Sequence, residues 1–382
     1  MKIDINAILE EFVEARKNGF VTVKEFKDQG KNIVGTFCTY TPKELIYAIG
    51  AYPVTLCAVS DATIPASEKH LPKNLCPLIK SSYGFAITDK CPYMYFSDLV
   101  IGETTCDGKK KMFELLGEIK DTYVMQLPHN QENEYAKLMW EKEMYRLKEK
   151  LEEKFSTKMT EENLKQAIRD CNEERDAIKD FYALGKLVPP PISGYDMFNI
   201  LNGVLYTFDK KEQNKKLRDI TKELRALHER GEGTISKDRP RILITGCPIG
   251  GVADKIIKQL EEVGAVAVIY ENCGATKNTE RLVDETMDPM KALAEKYLAI
   301  PCSIMTPNKG REELLKQLIE DYKIEGVIDI ILQSCHTYAV ETKNIQKHVN
   351  SLGVPFLAIE TDYSTSDSGQ IRTRLEAFVE MI

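Results

Sequence analysis

Several absences narrow this sequence before any motif is read. Lysine and arginine total 52 against 59 aspartates and glutamates, a net charge of −7, so the basic surface that a nucleic-acid binder needs is missing. The longest apolar run, about residues 263–270, falls far short of a membrane span. Met1 to Lys17 reads as an amphipathic helix carrying Asp4, Glu10, Glu11 and Glu14, without the basic start and apolar centre of a secretory signal. A cytoplasmic location is therefore expected, where stable disulfides are rare. There is no GxGxxG and no P-loop: Gly246-Cys-Pro-Ile-Gly250-Gly251 is a glycine turn with no Lys-Ser/Thr after it, so nucleotide binding there is not expected. Tryptophan occurs once and histidine five times.

Against that background stand ten cysteines in 382 residues: Cys38, Cys57, Cys76, Cys91, Cys106, Cys171, Cys247, Cys273, Cys302 and Cys335. No two lie closer than 15 residues, which excludes CxxC zinc ribbons, thioredoxin-type pairs and ferredoxin-type runs. A shared site would have to be assembled by the fold. The competing reading is that most are small buried hydrophobes.

Hydrophobic residues at 43% and charged residues at 29% describe an ordinary globular chain, long enough for two domains. The expected fold class is α/β, with two doubly wound domains of mainly parallel sheet, a helical layer between them and a site at the interdomain cleft. Residues 1–190 form the expected N-terminal α/β domain, including a charged helical segment at about 131–186; residues 191–382 form a Rossmann-like C-terminal domain. In the first, Asn32–Phe37, Val54–Val59 and Thr122–Leu127 read as strands, and Thr41-Pro42-Lys43-Glu44 as a capping box opening a helix that stops at Gly50. Asp61–Asn74 reads as a loop. The 131–186 segment restarts as a helix at Thr160, and Val188-Pro-Pro-Pro-Ile-Ser-Gly194 reads as a linker. In the last third, strands at Arg241–Thr245, Ala265–Tyr270, Gly326–Leu332 and Pro355–Glu360 alternate with helices at Val252–Val263, Asp288–Tyr297, Arg311–Tyr322, Tyr338–Asn350 and Gly369–Ile382.

The cysteines fall into two patterns. Cys38, Cys247, Cys273 and Cys335 follow predicted strands, and Cys302 follows the short apolar run Tyr297–Pro301. Ligands of open α/β sheets bind at that carboxyl edge. Cys57 falls inside a predicted strand and is assigned to the core, and Cys171 within the helical segment reads as structural. Secondly, Cys76-Pro77, Cys91-Pro92 and Cys247-Pro248 place proline after cysteine, and Cys106 precedes the expected helix Lys109–Glu118. Each is a candidate helix N-cap, where the local field favours a thiolate. Thiolates from both sources suit a soft metal centre, iron–sulfur or zinc; many thiols and few histidines favour iron–sulfur. His336, beside Cys335, is a candidate proton donor.

Thr36-Phe-Cys-Thr-Tyr-Thr-Pro-Lys-Glu-Leu-Ile-Tyr-Ala-Ile-Gly50, Cys76-Pro-Leu-Ile-Lys-Ser81 and Thr105-Cys-Asp-Gly-Lys-Lys-Lys-Met112 resemble segments of the 2-hydroxyacyl-CoA dehydratase and benzoyl-CoA reductase superfamily. Asp89-Lys-Cys-Pro92, Glu271-Asn-Cys-Gly274, Ile300-Pro-Cys-Ser303, Gln333-Ser-Cys-His336 and Glu360-Thr-Asp-Tyr-Ser364 are similar to its double-cubane cluster proteins. The resemblance implies that Cys76, Cys106 and Cys335 match the family's three cubane thiolates and that Cys91, Cys273 and Cys302 are additional thiols, enough for a second cubane, with the partition of ligands between the cubanes open. Together these hold an 8Fe–9S double-cubane cluster, with a single 4Fe–4S cluster as the alternative. Cys247 and Cys38 are rival ligands. It further implies a homodimer, an ATP-hydrolysing homodimeric 4Fe–4S reductase as electron donor, and an anaerobic iron–sulfur oxidoreductase acting on small molecules. His336, Glu360, Asp362 and Glu103 are the candidate catalytic groups. A 2-hydroxyacyl-CoA dehydratase subunit and a non-catalytic electron carrier are the alternative functions.

Overall fold

The computed structural model describes residues 5–233 and 235–382. The expected N-terminal helix is present as Ile5–Asp28; its Met1–Asp4 portion lies outside the described residues. The chain forms two compact units. The first comprises residues 18–175 and 280–308; the second takes the chain up to Lys17 together with 176–279 and 309–382.

The first unit is built on β1 (Ile33–Thr36), β2 (Tyr52–Thr55), β3 (Leu99–Glu103) and β4 (Thr122–Met125), all parallel, in the order β2-β1-β3-β4. The second is built on β5 (Arg241–Gly246), β6 (Val266–Glu271), β7 (Gly326–Leu332) and β8 (Phe356–Thr361), also parallel, in the order β6-β5-β7-β8. Each unit is therefore a doubly wound α/β layer, and the two repeat one strand order. The near-continuous apolar runs explain the parallel pairing: every residue of β3, β5, β6 and β7 is buried, as strands covered on both faces must be. The charged segment forms two helices, Glu134–Phe155 and Glu161–Tyr182, which bury one stripe including Trp140, Met144, Leu147 and Leu151.

Three local expectations are corrected. The strand at Val54–Val59 ends at Thr55, because Leu56 makes the last backbone bond to β1 and the chain then turns away: Ala58 and Ser60 N–H groups donate to the Ser82 and Ser81 hydroxyls at 3.0 and 3.3 Å. Cys57 is consequently not inside a strand but just beyond its carboxyl end. Secondly, Thr41 and Glu44 form no capping box. The helix is Lys43–Ala48, Pro42 is its N-cap, and both side chains are drawn into buried tertiary pairs instead: Thr41 donates to Glu103, and Glu44 meets Arg175 at 2.5 Å. Thirdly, β3 lies between the helix starts at Cys91 and Cys106, where no strand is predicted. Five residues between two helix starts gave no distinct period.

Candidate functional site

The repeated strand order fixes where each sheet can bind something. In both sheets the chain reverses direction of winding beside its central strand, between β1 and β3 and between β5 and β7. Crevices at the carboxyl ends of such switch points are the binding places of doubly wound folds. Cysteines gather there. Cys38, Cys57 and Cys106 follow β1, β2 and β3, and Cys247, Cys273 and Cys335 follow β5, β6 and β7. The two units thus carry matching thiols at matching strand ends.

In the first unit, Cys76, Cys91 and Cys106 are N-caps of the helices Pro77–Ile87, Pro92–Phe96 and Asp107–Leu116, as their sequence context predicts. Pro77 and Pro92 supply the fixed backbone angle that starts each helix. The Cys91 Sγ accepts from the Met94 N–H at 3.4 Å. Burial raises the Cys91 pKa, and backbone donation from Met94 and Tyr93 works against that rise. Cys302 follows no strand. It lies after the helix Pro289–Leu298 and belongs to the first unit, not to the sheet of the last third. Three polar contacts hold its segment there: the Tyr40 hydroxyl donates to Ile300 O at 2.8 Å, and Gln131 donates to Leu298 O at 2.8 Å and Ile300 O at 2.9 Å. Cys38 is close enough to Cys302 for their charges to interact.

In the second unit, Cys247 caps no helix, contrary to its proline context. The next helical residues begin after Val252, and Cys247 is instead fully buried, its Sγ accepting from the Leu332 N–H at 3.4 Å. Cys335 is the N-cap of the helix His336–Ser351, which starts earlier than its apolar pattern suggests. Ser334 before it has φ +59°, a left-handed conformation that a non-glycine residue holds only under tertiary constraint. Cys273 follows β6 in a turn closed by Asn272, whose side chain accepts from the Gly274 N–H at 3.1 Å.

Beneath these second-unit thiols lies a buried charge network that the sequence reading missed. Arg311, fully buried, donates to Thr245 of β5 at 2.8 Å, lies 3.4 Å from Glu271 of β6 and 3.6 Å from Asp329 of β7, and pairs with Glu341. Lys277 pairs with Glu271 at 3.1 Å and donates to the Tyr338 hydroxyl at 2.9 Å. One guanidinium therefore ties together three adjacent strands. An aspartate inside the apolar run of β7 was the available signal, since such a charge requires a buried partner.

The candidate proton-transfer residues divide by exposure. His336 and Glu360 are exposed, and Asp362 is half-buried with its carboxylate accepting from the Ser364 N–H at 2.8 Å. Glu103, at the end of β3, is fully buried. Burial raises its pKa to about 7, although Lys109 and the Thr41 hydroxyl pull it down. Burial also keeps Cys38 and Cys57 as thiols, and Cys57 donates to Phe37 O at 2.7 Å. Among the described residues, all ten cysteines are outside disulfides, and no three His, Cys, Asp or Glu side chains form a group placed to hold a metal ion. No helix of the described residues is long and apolar enough to cross a membrane.

Comparison with known proteins agrees with this architecture. Residues 38–382 match the family of the 2-hydroxyglutaryl-CoA dehydratase D-component. The chain is 51% identical to the putative dehydratase subunit YjiM of Escherichia coli, covering 99% of both chains. It is 26% identical to the (R)-phenyllactyl-CoA dehydratase beta subunit of Clostridium sporogenes over 94% of each. It is 24% identical to the beta subunit of (R)-2-hydroxyglutaryl-CoA dehydratase of Acidaminococcus fermentans, over 99% of this chain and all of that one. Switch-point thiols on two doubly wound units, with a match running through both, place this chain in the 2-hydroxyglutaryl-CoA dehydratase D-component family.

Proposed function

We propose that this protein is an iron–sulfur oxidoreductase in which Cys76, Cys91, Cys106, Cys273, Cys302 and Cys335 hold an 8Fe–9S double-cubane cluster. The observation that carries the reading is the helix-start geometry: Cys76, Cys91, Cys106 and Cys335 are all N-caps. The positive helix end at such a position stabilises a thiolate and the negative charge of an iron–sulfur centre, and the Cys91 sulfur also accepts the Met94 N–H. Six cysteine thiolates are the donor chemistry that an iron–sulfur centre takes. Such a cluster, when bound, supplies low-potential electrons. The chain supplies the thiolates, their orientation, and acids nearby: Glu103 at the end of β3, with His336, Glu360 and Asp362 as further candidates.

The absence of a nucleotide motif leaves ATP hydrolysis to a partner, an ATP-hydrolysing homodimeric reductase with its own 4Fe–4S cluster. The proposed setting is a homodimer in an anaerobic cytoplasm, reducing a small molecule. A second reading is favoured by the relatives, two of which are beta subunits of acyl-CoA dehydratases. In it, this chain holds one 4Fe–4S cluster and works with a different subunit on a 2-hydroxyacyl-CoA. Iron and acid-labile sulfide counted on anaerobically purified protein separate the two: about eight irons per chain are expected for the double cubane and about four for the dehydratase reading. An iron-free, colourless preparation would reject both.

A further inference from the structure

The first unit contains a cluster of buried polar groups that the proposed ligand set does not use. It sits at the β1/β3 switch point. The β1–β3 register pairs Thr36 with Ile101, and carrying it two residues further brings Cys38 opposite Glu103. Glu103 is fully buried; its Oε1 accepts from Thr41, while its Oε2 has no hydrogen-bond partner among the described residues. The hydroxyls of Thr39 and Thr105, on the two segments leaving those strands, are likewise buried and without a partner. Lys109, also buried, reaches the same edge and donates to Phe37 O at 2.9 Å. A buried carboxyl with one open oxygen, a cation and two open hydroxyls is costly as scaffolding, because each unmet group forfeits its hydration. It is economical as a place where a proton comes and goes.

We propose that Glu103 is a proton-holding group at this switch point, with Lys109 as its positioning cation and the Thr39, Thr41 and Thr105 hydroxyls as the groups through which its proton exchanges. Release passes the Glu103 proton by way of those hydroxyls to solvent water and leaves the O–H electron pair on the carboxylate, which then becomes the counter-ion of the Lys109 ammonium. A proton from bulk solvent restores the acid. The link to electron uptake rests on the iron–sulfur reading above: an electron arriving near this edge raises the affinity of Glu103 for its proton, so reduction and protonation go together. The surrounding charges suit this role. Burial works against the Lys109 charge, but the net direction of its pKa is upward, with the Glu103 carboxylate among the groups that raise it. Burial keeps the Cys38 and Cys57 thiols protonated. Glu103 is then the one group of the cluster that titrates near neutral pH.

Infrared difference spectroscopy of the anaerobically purified full-length protein tests the carboxyl directly. A protonated-carboxyl band should fade with a midpoint at about 7 and be absent from Glu103→Gln. Lys109→Met and Thr41→Val, which leave the acid in place, should each shift the midpoint upward, Lys109→Met by tenfold or more in the ionisation constant. No such band between roughly pH 5 and 9, or a midpoint indifferent to Lys109→Met, overturns the proposal. Redox titration of the same preparation tests the coupling: the midpoint potential should fall with rising pH in the wild type and lose that dependence in Glu103→Gln. An unchanged dependence in Glu103→Gln overturns the coupling even if iron is present. A preparation without iron defeats the iron–sulfur reading, and the infrared result then decides the carboxyl by itself.

Discussion

Replacing Arg311 with methionine is the most informative single perturbation of the second unit. Around Arg311 three carboxylates, Glu271, Asp329 and Glu341, face two cations, Arg311 and Lys277. Arg311→Met leaves three carboxylates against one cation in the same buried space. Breaking a buried pair by removing one partner costs about 3–5 kcal/mol, because the remaining charge is stranded without water. Arg311→Lys keeps the charge but loses the fork that reaches Thr245, Glu271, Asp329 and Glu341 at once, and should cost about half as much. Removing one stranded acid, as in Arg311→Met with Glu341→Gln, should recover part of the loss. The assay is equilibrium urea unfolding followed by far-ultraviolet circular dichroism. It also has a pH signature. Burial already raises the Asp329 pKa, and Arg311 holds it down. Without Arg311 that folded-state pKa climbs further, so the variant's deficit should shrink as pH falls toward the unfolded carboxylate value and grow as pH rises. A loss below about 1 kcal/mol, or a double variant less stable than Arg311→Met, would refute the charge accounting.

Three further outcomes follow from the same physics. In the first unit, Arg175 pairs with Glu44 at 2.5 Å, and Tyr297 donates to Glu44 at 2.8 Å; Arg175→Met should lower stability by about 3–5 kcal/mol, and Glu44→Gln in the same chain should restore part of it in urea unfolding. Gly246 has φ +110°, and a Cβ there would stand 2.2 Å from Ile330 O; Gly246→Ala should cost at least about 2 kcal/mol and lower the thermal midpoint. The raised pKa of Glu103 means that its contribution to stability is full below about 4.5 and lost as pH rises through about 7. Glu103→Gln should therefore gain on the wild type between pH 5 and 8, by at most about 3 kcal/mol, in paired unfolding curves; a constant difference would contradict the assignment.

The sequence disclosed the second sheet more completely than the first. Strands such as Gly326–Leu332 are apolar throughout and bounded by helices with caps of their own, so length and composition suffice. The first sheet is made of four- and five-residue strands interrupted by tertiary decisions. Nothing near Thr41 announces that its hydroxyl serves Glu103 instead of its own helix, and nothing near Val54 announces that the Ser81 and Ser82 hydroxyls will pull the chain off β1. The same limit applies to the site. Cys76, Cys91 and Cys106 were legible as helix starts because proline, or an Asp-Gly pair, follows each. Cys247 has the same local signal and is used differently, since the Leu332 N–H claims its sulfur. The placement of Cys302 depends on Tyr40 and Gln131, more than 160 residues away in sequence. Lys109 and Arg311 could not be singled out, because a buried cation is recognised by its partners and those come from other elements.

The central claim is that six thiols hold one iron–sulfur cluster, and counting iron in single Cys→Ser variants purified anaerobically tests it most directly. The account predicts about eight irons in the wild type and in Cys57→Ser and Cys171→Ser. It predicts a marked loss in each of the Cys76, Cys91, Cys106, Cys273, Cys302 and Cys335 variants. Full iron in Cys91→Ser and Cys273→Ser, with half lost in Cys247→Ser, would contradict it.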